Sequence, residues 1–239
     1  NFDGNGHVIK NFRLEAPVNG KNTYIGLFAY VSGNAVIENL GIKDVIAGPG
    51  GDWGFNSTCG ALAGLVNGNA QVNSCYAKNV RFVNDKNASF NFLIAGGLIG
   101  KVDSISSSVI NCYSLNTSIE DDCASSYNGL VGLMSNFNRM KSCYSNTTLT
   151  MCSDSNVSKV STSFCESKPY GSNYTTVGTL VTSDELKKKA KELGAGYGAD
   201  SMAEPMNDGY PVLVWEGDFA TMDGDGTKES PYLVKSPET

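Results

Sequence analysis

Gly60-Ala-Leu-Ala-Gly64, followed by Val72-Asn-Ser-Cys-Tyr76, decides the fold, because the chain repeats both phrases. They return as Gly97-Leu-Ile-Gly100 with Val109-Ile-Asn-Cys-Tyr113, and as Gly129-Leu-Val-Gly132 with Met140-Lys-Ser-Cys-Tyr144. A degenerate copy precedes them, Ile25-Gly-Leu-Phe28 with Ile37-Glu-Asn-Leu40, and Phe12 aligns with Leu40 as a still earlier rung. The spacing between copies varies while the phrases persist. This is the pattern of a stacked repeat whose insertions fall in loops and whose wall elements stay fixed.

The apolar runs are short, β-branched or aromatic, and bounded by Gly, Asn and Ser, which are strand signals. Apolar residues at three- and four-residue spacing over long stretches, the mark of helical repeats, are missing. One unit has too few apolar residues to bury its own face, so the units must stack. The expected fold is all-β: a parallel β-solenoid, with two or three short strands per coil and successive coils about 4.8 Å apart. Equivalent side chains then form ladders, Cys75 on Cys112 on Cys143 and Tyr76 on Tyr113 on Tyr144. Adjacent residues point to opposite faces. Small, readily buried Cys is assigned to the interior, and Tyr to an exposed stripe or a packed corner. Glycine at both ends of Gly-Leu-x-Gly leaves no Cβ where coils crowd, and the Leu between points inward. Phe164-Cys165 is a candidate last rung.

His7 to Leu14 reads as a strand after the tight turn Phe2-Asp-Gly-Asn-Gly6. After Tyr144 the pattern loosens. Thr182-Ser-Asp-Glu185 is a capping box, and Leu186 to Leu193 predicts one short amphipathic helix stopped by Gly194, with Leu186, Ala190 and Leu193 on one face. Asp208-Gly-Tyr-Pro211 predicts a turn into a Val212-Leu-Val-Trp215 strand. The helix or this strand is expected to cover the open end of the solenoid. Residues 1–215 are assigned to the solenoid with its cap, and 216–239 to a linker or the start of a further repeat block.

The Gly-Leu-x-Gly phrases, Phe2-Asp-Gly-Asn-Gly-His-Val-Ile9, the Asn-Cys-Tyr rungs and Asn207-Asp-Gly-Tyr-Pro-Val-Leu-Val-Trp215 together resemble the GLUG-repeat family. Asp223-Gly-Asp-Gly-Thr-Lys-Glu-Ser-Pro-Tyr-Leu-Val234 looks like the phrase that opens such a block. The family's repeats occur in large secreted and cell-surface bacterial proteins, including adhesin-like chains and some immunoglobulin A-cleaving metallopeptidases. The resemblance implies a right-handed β-helical module at the cell surface and assigns no catalytic residues.

The 239 residues carry a net charge of −6 and no basic run, which argues against nucleic acid as a partner. No apolar run approaches the roughly 20 residues of a membrane span. The abrupt Asn1-Phe-Asp3 opening reads as a processed or trimmed fragment, with further domains of the parent chain expected beyond it. Seven Cys is an odd number. Free thiols are expected along the ladder Cys75, Cys112, Cys143 and Cys165, and a disulfide is open to two of Cys59, Cys123 and Cys152. With no Cys-x-x-Cys and a single histidine, His7, neither a structural zinc site nor a His-Glu-x-x-His site is expected. His7 is given a structural role.

The acidic groups Glu120-Asp-Asp122 and Asp223/Asp225 read as solvated loop charge and turn chemistry. None of Arg13, Arg81 and Arg139 recurs beside an acidic cluster when the repeats are aligned on their Cys and Tyr. Six Asn-x-Ser/Thr phrases (Asn56, Asn87, Asn116, Asn146, Asn156, Asn173) are polar turns in a bacterial chain and glycan acceptors in a eukaryotic secreted one. The ligand-binding candidates are aromatic: Tyr76, Tyr113 and Tyr144 as an external stripe, with Trp53, Phe55 and Tyr127 on long loops. Such rings suit sugar faces or a partner protein. The expectation is a non-catalytic, secreted or surface-displayed module, structural and adhesive, binding host or matrix glycans or proteins, without cofactor or metal. The alternatives are a polysaccharide-degrading β-helix enzyme and a dedicated carbohydrate-binding module.

Overall fold

A computed structural model describes residues 1–15, 23–48, 57–83, 93–120, 126–134, 139–148, 150–152, 160–166, 175–201, 205–217, 222–223 and 233–234. It is a parallel β-solenoid of about three turns. The chain enters on β1 (Phe2–Glu15). The first coil follows as β2 (Tyr24–Ile25), β3 (Phe28–Val31) and β4 (Val36–Gly48). The next coil is β5 (Ser57–Gly60), β6 (Ala63–Val66), β7 (Gln71–Asn73) and β8 (Tyr76–Phe82). The third is β9 (Leu93–Gly96), β10 (Ile99–Val102), β11 (Ser108–Ile110), β12 (Tyr113–Leu115) and β13 (Ser118–Ile119). The fourth is β14 (Ser126–Asn128), β15 (Val131–Met134), β16 (Arg139–Lys141) and β17 (Tyr144–Ser145).

Stacking places β2, β5, β9 and β14 in one parallel sheet and β3, β6, β10 and β15 in a second. The remaining strands of every coil share a third sheet; β4 crosses it unbroken in the first coil, while the later coils divide there, so that the second and fourth have four short strands and the third five, where the sequence suggested two or three. The split has a local cause. Asn39, Ser74, Asn111, Ser142 and Thr162, one at the same position of each coil, have φ between 49° and 55°. This left-handed bend interrupts the strand in the later coils, and short polar side chains tolerate it best.

The expected ladders form. Tyr113 pairs with Tyr76 and with Tyr144. Cys75, Cys112 and Cys143 are buried free thiols in the core. The bend just before each thiol turns a carbonyl toward it: Cys75 Sγ lies 3.2 Å from Asn73 O, Cys112 Sγ 3.2 Å from Ile110 O and Cys143 Sγ 3.3 Å from Lys141 O. A small side chain with a weak S–H donor fits that pocket. Cys165 is also buried, on the strand Phe164–Cys165, which pairs with β17, but it is in register with Ser145; Phe164 continues the Tyr row and Ser163 falls at the Cys143 position, so Cys165 is off the thiol ladder that the sequence predicted. Cys59 is buried in the core as well. Cys123 and the side chain of Cys152 lie outside the described residues.

The Gly-Leu-x-Gly phrase is the sharp corner between the first two sheets. Leu62, Leu98 and Leu130 point into the core and are fully buried. A Cβ on Gly132 would lie 2.5 Å from Gly100 O and 2.8 Å from the Ala95 backbone, and one on Gly100 2.6 Å from Gly64 O. No real side chain fits such a gap, so glycine here is dictated by backbone crowding.

Three sequence expectations need correction, one on β1 and two in the C-terminal segment. Leu40 is in register with His7, and Phe12 with Val45, so aligning Phe12 with Leu40 is wrong. The register of β1 shifts between Asp3 and His7, across Gly4-Asn-Gly6, where a single residue suffices in β4. The predicted C-terminal helix is two shorter ones, α1 (Ser183–Leu186) and α2 (Ala190–Leu193). The capping box is present: Thr182 Oγ1 accepts from Glu185 N and the Glu185 carboxylate accepts from Thr182 N. Leu186, Ala190 and Leu193 share the buried face as expected. The predicted 212–215 strand is only Val212–Leu213, antiparallel to Tyr197–Gly198, and Val214–Glu216 is a 3-10 turn.

Candidate functional site

The long strand β8 carries two outward rows of side chains with different fates. The first row is the aromatic ladder. The rings of Tyr76 and Tyr113 stack at 5.0 Å and those of Tyr113 and Tyr144 at 4.8 Å, with nearly parallel planes. Trp215 extends the stack from Tyr76 at 5.5 Å, and Gly41 beside Tyr76 leaves the room a side chain would fill. The predicted external stripe is therefore overturned: Tyr76, Tyr113 and Tyr144 are each no more than 1% exposed.

The segment formed by residues 181–201 and 205–217 covers them. It runs back along the side of the solenoid instead of closing its end, which corrects the cap prediction. Its α1, α2, Tyr197, Tyr210 and Leu213 form a second core with Tyr76, Tyr113, Tyr144 and Phe164. It is fastened at the bends of the coils, where Trp215 Nε1 donates to Ser74 O at 2.9 Å and the Tyr197 hydroxyl to Ser142 O at 2.9 Å. The Tyr144 hydroxyl donates to Pro211 O and receives Asn207 Nδ2.

Glu216 is the central fastening. Its carboxylate accepts from the Tyr113 hydroxyl at 2.7 Å and Leu213 N at 2.8 Å, and pairs with Lys78 Nζ at 3.3 Å. The Lys78 and Glu216 side chains are 8% and 7% exposed. Burial pulls the Lys78 pKa down, with Glu216 opposing the shift. Lys78 also lies 4.8 Å above the Tyr76 ring. Burial raises the Tyr113, Tyr144 and Tyr197 hydroxyls well above their ordinary pKa, helped by the Glu216 charge. Glu216, one residue beyond the 1–215 assigned to the solenoid and its cap, takes part in this packing.

The second row lies three residues further along each strand. Asn11, Asp44, Asn79 and Asn116 stack in register, at φ 60°, 56°, 56° and 54°. Each amide bonds to the coil before it: Asn79 Nδ2 to Asp44 Oδ1 at 2.8 Å, Asn116 Nδ2 to Asn79 Oδ1 at 3.1 Å and Asn146 Nδ2 to Asn116 Oδ1 at 2.9 Å. Two residues on, Arg13, Ile46, Arg81 and Ser118 form the adjoining row. Between and beneath them lies an open groove of about 620 Å³, lined by both rows with Phe12 and Val45.

Nothing covers this groove among the described residues. Arg13 pairs with Glu15 and Arg81 with Glu120, both at 2.9 Å and all four side chains about half exposed. Arg81 does lie beside an acidic residue in the repeat frame, contrary to the sequence expectation. The signal for this site was present as Asn11-Phe-Arg13 and Asn79-Val-Arg81, with Asp44-Val-Ile46 and Asn116-Thr-Ser118 as variants. It was missed because β1 was aligned out of register.

The other candidates are placed as follows. Tyr127 is half-buried on β14, edge-on to Phe82 and bonded to Thr117 O, so it is not a loop platform. Trp53, Phe55, Asp121 and Asp122 lie outside the described residues, as does Asp225. His7 bonds through Nδ1 to Gly4 O and Asn5 O in the entry turn. Among the described residues no group of three or more His, Cys, Asp and Glu is arranged to hold a metal ion, and no helix is long and apolar enough to cross a membrane.

No family model and no curated protein matches the chain. One solved structure, described as a putative immunoglobulin A1 protease from Bacteroides ovatus, is similar over 91% of this chain and 78% of that chain, at 13% identity and a TM-score of 0.39.

Proposed function

We propose that this chain is a non-catalytic, extracellular repeat module, structural and adhesive, which engages an extended host or matrix ligand along its side. One observation carries the reading: an open groove runs across successive strands of the stack, which present Asn11, Asp44, Asn79 and Asn116 to it in one register. An extended ligand lying along the axis would meet one equivalent set of donors and acceptors per coil. Each ladder amide spends one N–H and one lone pair on its neighbours and keeps its others for a ligand. The resemblance to GLUG repeats supports the placement at a bacterial surface.

The groove brings together hydrogen-bonding amides and half-exposed ion pairs. A hydrolase or lyase needs instead a buried acid and base converging on one bond. Incubating the chain with a glycan array that includes mucin and plant polysaccharides, while analysing the supernatant for fragments, tests the reading. Selective binding without fragments is expected. Release of fragments would overturn it in favour of a polysaccharide-degrading enzyme. Silence from glycans and from a panel of host matrix proteins would reduce the module to a spacer.

A further inference from the structure

We infer that the groove is built for a linear acidic polysaccharide that carries one carboxylate per disaccharide. The inference rests on the groove being the binding face. It follows from the order of residues in the outer row, Arg13, Ile46, Arg81, one per successive coil. With coils about 4.8 Å apart, the two guanidinium groups recur at roughly 10 Å along the axis. An extended disaccharide unit matches that length. Ile46 stands between them, 38% exposed, with Phe12 also lining the groove. Cation, apolar contact, cation is the complement of uronate, neutral sugar, uronate.

The chemistry of each position agrees. Arg binds planar carboxylates through paired N–H donors, and Arg13 and Arg81 each commit a single nitrogen to an exposed glutamate. Exposed pairs of this kind are weak, so a ligand carboxylate can share or displace them. The Ile46 side chain offers a C–H surface to a neutral ring. In the row alongside, the amides of Asn11, Asn79 and Asn116 supply donors and acceptors, and the Asp44 carboxylate an acceptor, to hydroxyl and acetamido groups.

The groove itself holds Arg13 and Arg81 against Asp44, with Glu15 and Glu120 paired to the two guanidinium groups. Lys10 and Lys43 lie in register in the row beside it, where Lys43 Nζ is 5.8 Å over the Tyr76 ring. A ligand carboxylate is therefore taken up by exchange with Glu15 and Glu120 at the two guanidinium groups, not by a net positive field.

Calorimetric titration of the whole chain with a hyaluronan octasaccharide, in which glucuronate alternates with N-acetylglucosamine, tests the inference. Its carboxyl-reduced counterpart is the control. The expected result is binding of the acidic oligomer that weakens with added salt, no measurable binding of the reduced one, and a loss of at least tenfold in Arg13→Gln/Arg81→Gln. That variant changes only exposed side chains, and an unchanged melting temperature will show that it folds. Equal binding of both oligomers, unaffected in the double variant but lost in Ile46→Asp, would overturn the acidic class and leave the groove as the binding face. No binding of either oligomer would overturn the inference. Whether the groove reading falls with it is then decided by the glycan and protein panels.

Discussion

Tyr76 and Asn79 stand three residues apart on one strand, each in a ladder that crosses the coils, yet one ladder is sealed and the other open. The difference lies in what each row exposes if left alone. Stacked tyrosine rings present a broad apolar strip, and burying each ring is worth several kcal/mol, enough to hold a covering segment. Stacked amides satisfy one another across coils and present a hydrated surface that attracts no cover. The chain spends residues 181–201 and 205–217 on the first row and leaves the second to solvent. Aromatic side chains in a repeat are therefore a guide to where the chain folds back, and polar ladders to where a ligand can reach.

Breaking the sealed side should have the largest effect. Glu216→Ala strands the Lys78 ammonium and the Tyr113 hydroxyl in a buried place, and removing one partner of a buried pair costs about 3–5 kcal/mol. Tyr113→Ala opens a cavity in the middle of the stack and is expected to cost a similar amount, about 3–5 kcal/mol. Chemical denaturation of each variant measures these losses. If either changed stability by less than about 1 kcal/mol, within the range of ordinary surface substitutions, the cover would not be holding the ladder.

Alkali attacks the same side. The folded state raises the pKa of Tyr113, Tyr144 and Tyr197 by burying them. A folded pKa above the unfolded one means that the native state binds more protons. The stabilisation is complete below the unfolded value of about 10 and falls as pH rises above it, by about 1.4 kcal/mol per pH unit for each such tyrosine. Tyrosinate absorbance from these rings should thus appear together with unfolding. Smooth ionisation in a chain that stays folded would contradict their burial.

The open side should respond more gently. Asn79→Ala removes a ladder amide and places alanine at φ 56°, a conformation that costs roughly 1–2 kcal/mol outside Gly and Asn. Asn79→Gly should recover most of that, because glycine adopts the bend freely. If the two variants were equally stable, side-chain bonding would have to explain the row in place of backbone conformation. Smallest of all, Arg13→Gln/Arg81→Gln should change stability by less than about 0.5 kcal/mol, since exposed ion pairs contribute little.

The contrast also shows what the sequence carried. The Gly-Leu-x-Gly corner, the inward Cys and the stacking of Tyr on Tyr were legible because each repeats at the same place in the second, third and fourth coils. The cover was not. A segment that docks along the side meets each coil with different residues, Trp215 at Ser74 and Tyr197 at Ser142, so it leaves no repeat to align. Adjacent residues alternate in and out, which made Tyr76 look exposed once Cys75 was inside. Alternation reports the face of the sheet and says nothing of what lies upon it. The groove was hidden by register: β1 has neither Cys nor Tyr as an anchor, and its extra residues at Gly4-Asn-Gly6 moved Arg13 away from Ile46 and Arg81 in the alignment.

The most direct test of the division between the two faces is amide chemical-shift mapping of the whole chain during titration with the hyaluronan octasaccharide. Perturbations concentrated at Asn79, Val80, Arg81, Asn116 and Ser118, with Gly41, Tyr76 and Tyr113 unmoved, are the predicted result. Perturbations centred on the tyrosine row would mean that the cover opens to ligand and that the sealed face is the functional one.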